Sequence, residues 1–144
     1  MPSTFPQPAL VANHLGAWIR SADGQTQPVT RGAAVRAAAD APHLLLGAPV
    51  TASRLGYPEL GGFDLLELFA FVHPARFTVP TAYGLAATLG LAAPADGAEE
   101  AAFLQVAAAH LLGVLDAPDW AERHGAHALA QALARHGWNW APEI

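Results

Sequence analysis

The chain has 144 residues, of which 53% are hydrophobic and 13% charged, and its net charge at pH 7 is −5. A chain of this length and composition folds as one domain with a hydrophobic core. It contains no cysteine, which excludes disulfide bonds and thiolate catalysis, and no lysine, which excludes a P-loop ATPase and Schiff-base chemistry. The excess of acidic residues opposes strong electrostatic binding to nucleic acid.

The N-terminus has neither the basic start nor the long apolar stretch of a signal peptide. No uninterrupted apolar run approaches the ~20 residues that a helix needs to cross a bilayer. We therefore expect a cytoplasmic protein with no membrane partner.

Short strands are predicted in the first third of the chain. Residues 1–13 contain prolines and are expected to form an extended segment ahead of the domain. Alternating apolar residues predict a strand over 15–21. A turn at 23–24, where Asp precedes Gly, leads to a return strand over 27–30.

A helix over 31–40 is predicted next, with Thr30 as its N-cap. The apolar run over 43–46 predicts a buried strand. The Gly-Ala-Pro sequence at 47–49 is expected to interrupt it, and a single helical turn is expected over 51–55.

Residues 64–73 predict an apolar helix that Pro74 ends. Asp64 and Glu67 lie three residues apart at its start, the spacing of a capping box, in which the first residue accepts from a free helix amide and the second reaches back to the cap. Because few of its positions are polar, we expect this helix to be covered on most of its faces at the centre of the domain.

Helices dominate the second half of the chain. One is predicted over 81–89 and is stopped by Gly90. Asp96 and Glu99 form a second possible capping box, which begins a helix over 98–115.

A last helix is predicted over 118–136. The aromatic stretch over 138–144 is expected to be a tail or a linker to a missing motor, so that one globular domain would span 14–137 and the segment 1–13 would precede it. Short strands followed by helices predict a small α/β domain.

Candidate chemical groups are few. His124 and His127 lie three residues apart on the last predicted helix, as a metal-binding pair could, but no HExxH motif is present and an exposed helix face is the favoured interpretation. Asp64 and Glu67 could hold metal ions, although capping already accounts for them. No serine lies in a GxSxG motif.

Trp138 and Trp140 lie close to the end of the chain. Such a pair can stack on nucleic-acid bases. Arg135 is the only basic residue close to them in sequence, so docking onto the domain or onto a partner is favoured.

Three successive segments resemble the second half of a DnaQ-like 3′–5′ exonuclease. They are HLLLGAPVTASRLGYPELGGFDLLELFAFVHP (43–74), TVPTAYGLAATLGL (78–91) and the helix over 98–115. The resemblance is strongest over 56–91 and implies a small, reduced ribonuclease H-like fold. More specifically, residues 9–142 are similar to the N-terminal exonuclease-like region of alphaproteobacterial DinG/XPD-like ATP-dependent DNA helicases.

The chain departs from the exonuclease pattern at each metal-binding motif. The early Asp-x-Glu strand has no counterpart in residues 15–24, and the His-Asn and Asp positions fall on Gly-Ala-Pro at 47–49 and Thr-Ala-Ser at 51–53. The HxAxxD motif falls near residues 94–100, which contain no histidine. Asp64 matches an aspartate that such families use structurally. The resemblance thus implies no catalytic, cofactor-binding or metal-binding residue in this chain.

We therefore expect a non-catalytic accessory domain, structural or recruiting, of an ATP-dependent DNA helicase. The helicase motor in the same polypeptide would use ATP and Mg²⁺ and would contact DNA, whereas this domain would need no cofactor. One alternative is a divergent metal-dependent 3′–5′ exonuclease that uses Asp64, Glu67 and a histidine, which would have to meet in one cleft. The other is a stand-alone protein-interaction domain.

Overall fold

A five-stranded mixed sheet organises the chain, with strand order β3-β2-β1-β4-β5. The computed structural model describes residues 4–116, 130–135 and 137–143. Strands β1 to β3 pair in antiparallel fashion, whereas β4 is parallel to β1 and β5 is parallel to β4. The strands are β1 (Ala9–Asn13), β2 (Gly16–Arg20), β3 (Thr26–Val29), β4 (Leu44–Leu45) and β5 (Phe63–Asp64).

Five helices with complete bounds surround the sheet. They are α1 (Arg31–Asp40), α2 (Ala48–Leu55), α3 (Leu65–Val72), α4 (Ala82–Leu89) and α5 (Gly97–Leu115). Residues 130–134 are also helical, and a 3-10 turn spans Ala141–Glu143. The mixed α/β class predicted from the sequence is confirmed.

The sheet carries helices on both faces because alternate residues of β1 point in opposite directions. Ala9 and Val11 pack into a cluster with α3, α4 and α5, whereas Leu10 and Ala12 pack into a second cluster with α1 and α2. All four side chains are buried. The result is a three-layered domain with β1 at its centre.

Strand β1 differs from the sequence expectation, which left residues 1–13 outside the domain. The prolines at positions 6 and 8 precede the strand rather than interrupt it, so the amides and carbonyls of Ala9–Asn13 are free to pair. The strand pairs with β2 along its whole length and with β4 on its other side. Residues 9–13 therefore form the central strand of the sheet.

Helix α2 begins three residues earlier than expected, at Ala48. The expected break at 47–49 is instead its first turn. Pro49 lies there without loss of a helical hydrogen bond, because the first amides of a helix have no partner within it. Gly47, with φ of +82°, directs the chain from β4 into this turn.

Helix α3 is amphipathic and lies less deeply than the sequence suggested. Leu65, Leu68 and Phe69 are buried, but Glu67 is exposed. The central helix is α5, eight of whose residues are buried and which packs on β1, β2, α3 and α4. By length and composition alone α5 could span a bilayer, but these contacts make it a core helix.

The helix boundaries marked by caps agree with the sequence predictions. Thr30 accepts a hydrogen bond from the Ala33 amide at 3.0 Å, and α1 spans the predicted residues 31–40. Thr81 caps α4, and Gly90 ends it in the left-handed conformation.

The C-terminal residues pack onto the domain rather than extend from it. The Trp140 side chain is fully buried, and its ring centroid lies 5.4 Å from that of Phe5 and 5.0 Å from that of Phe63. Within the segment expected to be a tail or a linker, Trp140 is thus part of the core, whereas residues 139, 142 and 143 are exposed. Most of the last predicted helix, over 118–136, lies outside the described residues.

Candidate functional site: a cleft at the carboxyl end of the parallel strands

A cleft of about 260 Å³ opens where the chain leaves β1 and β4. Ligands of open α/β sheets bind outside the carboxyl ends of parallel strands, where neighbouring connections run to opposite faces. We therefore take this cleft as the candidate site. Its polar lining comprises Asn13 and His14 at the end of β1, Thr51 and Arg54 of α2, Thr81 before α4, and Glu100 of α5.

Arg54 and Glu100 are the formally charged residues among those that line the cleft. The Arg54 guanidinium donates from Nη1 to the Ala12 carbonyl at 2.9 Å, which ties α2 to the end of β1. Burial raises the pKa of the Glu100 carboxyl, the positive charge of Arg54 lowers it, and the negative charge of Asp96 raises it. The charged lining of the cleft therefore consists of one carboxylate and one guanidinium, and Asp96 acts on Glu100 from outside the lining.

The two threonine hydroxyl groups in the cleft have structural partners. Thr51 donates to the Gly47 carbonyl at 3.1 Å within α2. Thr81 accepts from the Gly84 amide at 3.0 Å as the cap of α4. Neither hydroxyl is paired with a histidine that could activate it as a nucleophile in the described chain.

Two-metal phosphodiester cleavage requires several carboxylates around a common point, since their charge holds the cations that activate water and neutralise the phosphate. Among the residues that line this cleft, Glu100 is the only carboxylate. Within residues 4–116, 130–135 and 137–143, no group of three or more His, Asp or Glu side chains is arranged to hold a metal ion.

Asp64 lies outside the cleft lining and joins the starts of two helices. Its Oδ1 accepts from the Gly47 amide and from the Leu66 amide, both at 3.0 Å, and its Oδ2 accepts from the Ala48 amide at 2.8 Å. The side chain is buried. The predicted cap on α3 is confirmed, and the same carboxylate also anchors the first turn of α2. Its oxygens are therefore directed at backbone amides rather than at a metal site.

Glu67 does not join Asp64 in a common site. Burial raises the pKa of the Glu67 carboxyl, as does the negative charge of Asp64, while a hydrogen bond from Trp138 lowers it. Glu67 thus ties α3 to the C-terminal residues, and the half of the predicted capping box in which Glu67 reaches back to the cap is not among the hydrogen bonds of the described residues. Neither Asp64 nor Glu67 lines the cleft, and among the described residues neither belongs to a group of three His, Asp or Glu side chains that could hold a metal ion.

The histidines of the described chain lie apart from one another. His43 is buried, with Nδ1 2.8 Å from the Ala41 carbonyl, and the His73 ring lies 5.4 Å from that of Phe69. His14 is exposed in the cleft. His124 and His127 lie outside the described residues.

The two C-terminal tryptophans dock onto the domain. Trp140 donates from Nε1 to the Asp64 carbonyl at 2.9 Å, and the Trp138 ring packs at a tilt against that of Phe71, with centroids 5.1 Å apart. Asn139 donates to the Gly62 carbonyl at 2.8 Å. The docking interpretation is confirmed, and these contacts cover the outer side of β5.

Sequence reasoning missed the polar residues of the cleft. His14, Arg54 and Glu100 are distant in sequence, and only the position of β1 at the centre of the sheet relates them. If residues 9–13 had been assigned to a central strand, the residues at its carboxyl end and on the elements beside it would have been candidates for the cleft.

Comparisons of the chain with protein-family models, with curated proteins and with solved structures gave no significant match.

Proposed function

We propose that this chain is a non-catalytic accessory domain with a ribonuclease H-like frame, which serves an ATP-dependent DNA helicase in a structural or recruiting role. The observation that carries the proposal is the cleft: at the carboxyl ends of β1 and β4, where a nuclease of this frame would hold metal ions, the chain offers Ala12, His14, Leu46 and a single carboxylate, Glu100. One carboxylate beside a guanidinium is a poor ligand set for two divalent cations.

The sheet supports the ribonuclease H-like part of the proposal. Three antiparallel strands followed by two strands parallel to the first, in the order β3-β2-β1-β4-β5, are the arrangement expected of that fold. Helices cover both faces, as such a sheet requires. The helicase part is supported by the sequence resemblance over residues 9–142.

A nuclease assay tests the absence of catalysis. The protein is incubated with Mg²⁺ or Mn²⁺ and end-labelled single-stranded DNA, and we expect the label to keep its full length. The proposal is overturned if the labelled DNA is shortened by an activity that co-purifies with the folded protein. An active exonuclease assayed in parallel shows that the conditions permit cleavage.

A variant with carboxylates introduced into the cleft tests the ribonuclease H-like part of the proposal. Positions 11 and 13 line the cleft together with Glu100 and, by the alternation of strand side chains, lie on the face of β1 that α5 covers. The double substitution Val11→Asp, Asn13→Glu would therefore bring three carboxylates to one place. We expect calorimetry to show Mn²⁺ binding to this variant that the native chain lacks. A folded variant that takes up no more Mn²⁺ than the native chain would show that the cleft is not in the nuclease position.

The helicase assignment has its own test. The reading frame that encodes this chain is expected to encode a motor with a Walker A lysine as well. A reading frame without such a motor rejects the helicase role and favours the stand-alone interaction domain.

A further inference from the structure

We propose that the cleft at the carboxyl ends of β1 and β4 binds a small zwitterion, namely a free α-amino acid with an aliphatic side chain. The inference goes beyond the proposed function, because it gives the domain a small-molecule ligand and does not depend on the helicase assignment. It is carried by two opposite charges in the cleft lining that do not contact each other, and by the apolar side chains that share the lining.

The charged lining consists of one guanidinium and one carboxylate. Arg54 and Glu100 both line the cleft and come from different helices, α2 and α5. They lie within electrostatic reach of each other, since the positive charge of Arg54 lowers the pKa of the Glu100 carboxyl. No hydrogen bond or ion pair joins these two side chains, both of which belong to the described residues. The cleft therefore holds a positive and a negative group apart.

The guanidinium of Arg54 is tethered but keeps donors for a ligand. Its Nη1 donates to the Ala12 carbonyl at 2.9 Å, which places the side chain at the end of β1. Within the described residues this is the only hydrogen bond that Arg54 makes. A guanidinium carries several N–H groups in a planar fork that matches the two oxygens of a carboxylate. Its remaining N–H groups can therefore bind the carboxylate of an amino acid.

The carboxylate of Glu100 is half-buried and lacks a hydrogen-bond donor. Across the part of the chain that the structure describes, no group donates to this carboxylate. A bound ammonium group would donate charge-assisted hydrogen bonds to it and offset the cost of its burial. A ligand with only a negative charge would be repelled by Glu100, and one with only a positive charge would be repelled by Arg54. A zwitterion satisfies both groups.

Apolar side chains in the lining favour an aliphatic ligand side chain. Val11, Leu46 and Leu104 lie there together with Val50. Val11 and Leu104 are buried, so a ligand side chain that packs against them leaves water as well. The cleft volume of about 260 Å³ is smaller than the roughly 300–1,000 Å³ of pockets for drug-sized ligands. A single amino acid is a ligand of suitable size.

The same lining does not favour nucleic acid. Its one guanidinium is matched by one carboxylate, and the chain as a whole has a net charge of −5 with no lysine. Nucleic-acid binding depends on an excess of basic side chains. A small ligand without net charge is thus the occupant that the charges favour.

The test compares four forms of one ligand at pH 7. The isotope-labelled full chain is titrated with leucine, with N-acetylleucine, which keeps only the carboxylate, with leucinamide, which keeps only the ammonium group, and with N-acetylleucinamide, which keeps neither. The amide chemical shifts of the cleft residues are followed. We expect leucine to bind with a dissociation constant of about 1 mM, a value within reach of so small a ligand. Each singly charged form should bind at least about fivefold more weakly, the effect of losing one partly exposed ionic contact, and the neutral form should bind most weakly.

Matched variants assign each charge of the ligand to its partner. Glu100→Gln should weaken leucine at least about fivefold and leave N-acetylleucine unchanged or tighter. Arg54→Gln should weaken leucine by a similar factor and leave leucinamide unchanged or tighter, which shows in addition that the cleft is intact without the bond to the Ala12 carbonyl. Glu59→Gln and Arg31→Gln remove exposed charges outside the lining and should have no effect.

The inference is overturned if leucine leaves the amides of the cleft unshifted, or if it binds no more tightly than N-acetylleucine or leucinamide. It is also overturned if either Glu100→Gln or Arg54→Gln binds leucine as tightly as the native chain. Neither the nuclease assay nor the reading frame depends on amino-acid binding. Failure of this inference therefore leaves the non-catalytic proposal standing, and DNA cleavage would reject that proposal without changing the result with leucine.

Discussion

Removal of the Asp64 carboxylate should destabilise the fold more than the loss of an ordinary helix cap. In the variant Asp64→Ala three backbone amides, those of Gly47, Ala48 and Leu66, lose their acceptor. An unsatisfied buried donor costs about 1–3 kcal/mol. The Gly47 hydrogen bond is buried and the other two are partly buried, so we expect a total loss of about 4 kcal/mol, near the top of the range for single substitutions.

The Asp64→Asn variant separates charge from geometry. The remaining amide oxygen can keep the bonds to Gly47 and Leu66, but the new NH₂ group would face the Ala48 amide, so that one bond is lost and two donors meet. We expect about half the cost of Asp64→Ala, or roughly 2 kcal/mol. Asp96→Ala is the matched control, because Asp96 caps α5 through one exposed bond to the Glu99 amide, and it should cost about 1 kcal/mol.

Urea denaturation followed by far-UV circular dichroism measures these differences in the free energy of unfolding. If Asp64→Ala proves no more destabilising than Asp96→Ala, the bridging role of Asp64 is refuted. A folded, equally stable Asp64→Ala variant would also reopen the metal-ligand interpretation of this carboxylate.

Three further outcomes are expected. Trp140→Ala should lower the free energy of unfolding by about 3–5 kcal/mol, measured by thermal or urea unfolding, since it leaves a cavity at a fully buried site. A decrease below about 1 kcal/mol would show that Trp140 does not anchor the C-terminal residues to the domain. Gly97→Ala should cost about 1–3 kcal/mol because its Cβ would lie 2.4 Å from the Trp18 ring. Gly32→Ala should be neutral or stabilising, because its Cβ would meet only the Arg36 side chain, at an ordinary contact distance of 3.5 Å. Glu100→Gln should raise the melting temperature at pH 7, because burial raises the pKa of Glu100 in the folded state and its ionised form therefore costs stability. The cost is less than about 1 kcal/mol for a half-exposed group. The gain in stability should vanish below about pH 4, where the carboxyl is protonated in both the folded and the unfolded state, and a gain that persists there would contradict the effect of burial on the Glu100 pKa.

The helices were largely predictable from the sequence because their ends carry local signals. Thr30, Thr81 and Asp96 each accept a hydrogen bond from an amide three residues ahead. Such a contact depends on residues within a stretch of four, so a local pattern predicts it. Gly90 ends α4 for an equally local reason, since its φ of +71° favours glycine.

The sheet and the cleft were less predictable because their determinants are distant in sequence. Strands β4 and β5 have two residues each, too few for a recognisable alternation, and β1 was obscured by the prolines that precede it. The second function of Asp64 depends on Gly47, 17 residues away. No local pattern contains that contact, although the cap that Asp64 provides to α3 was visible.

Asp64 and the cleft differ in how carboxylate charge is accommodated in this α/β domain. Carboxylates gathered at the ends of β1 and β4 would repel one another unless a cation neutralised them, whereas Asp64 is stabilised by backbone amides alone. With Ala12 and Leu46 at the strand ends, the cleft carries no such cost.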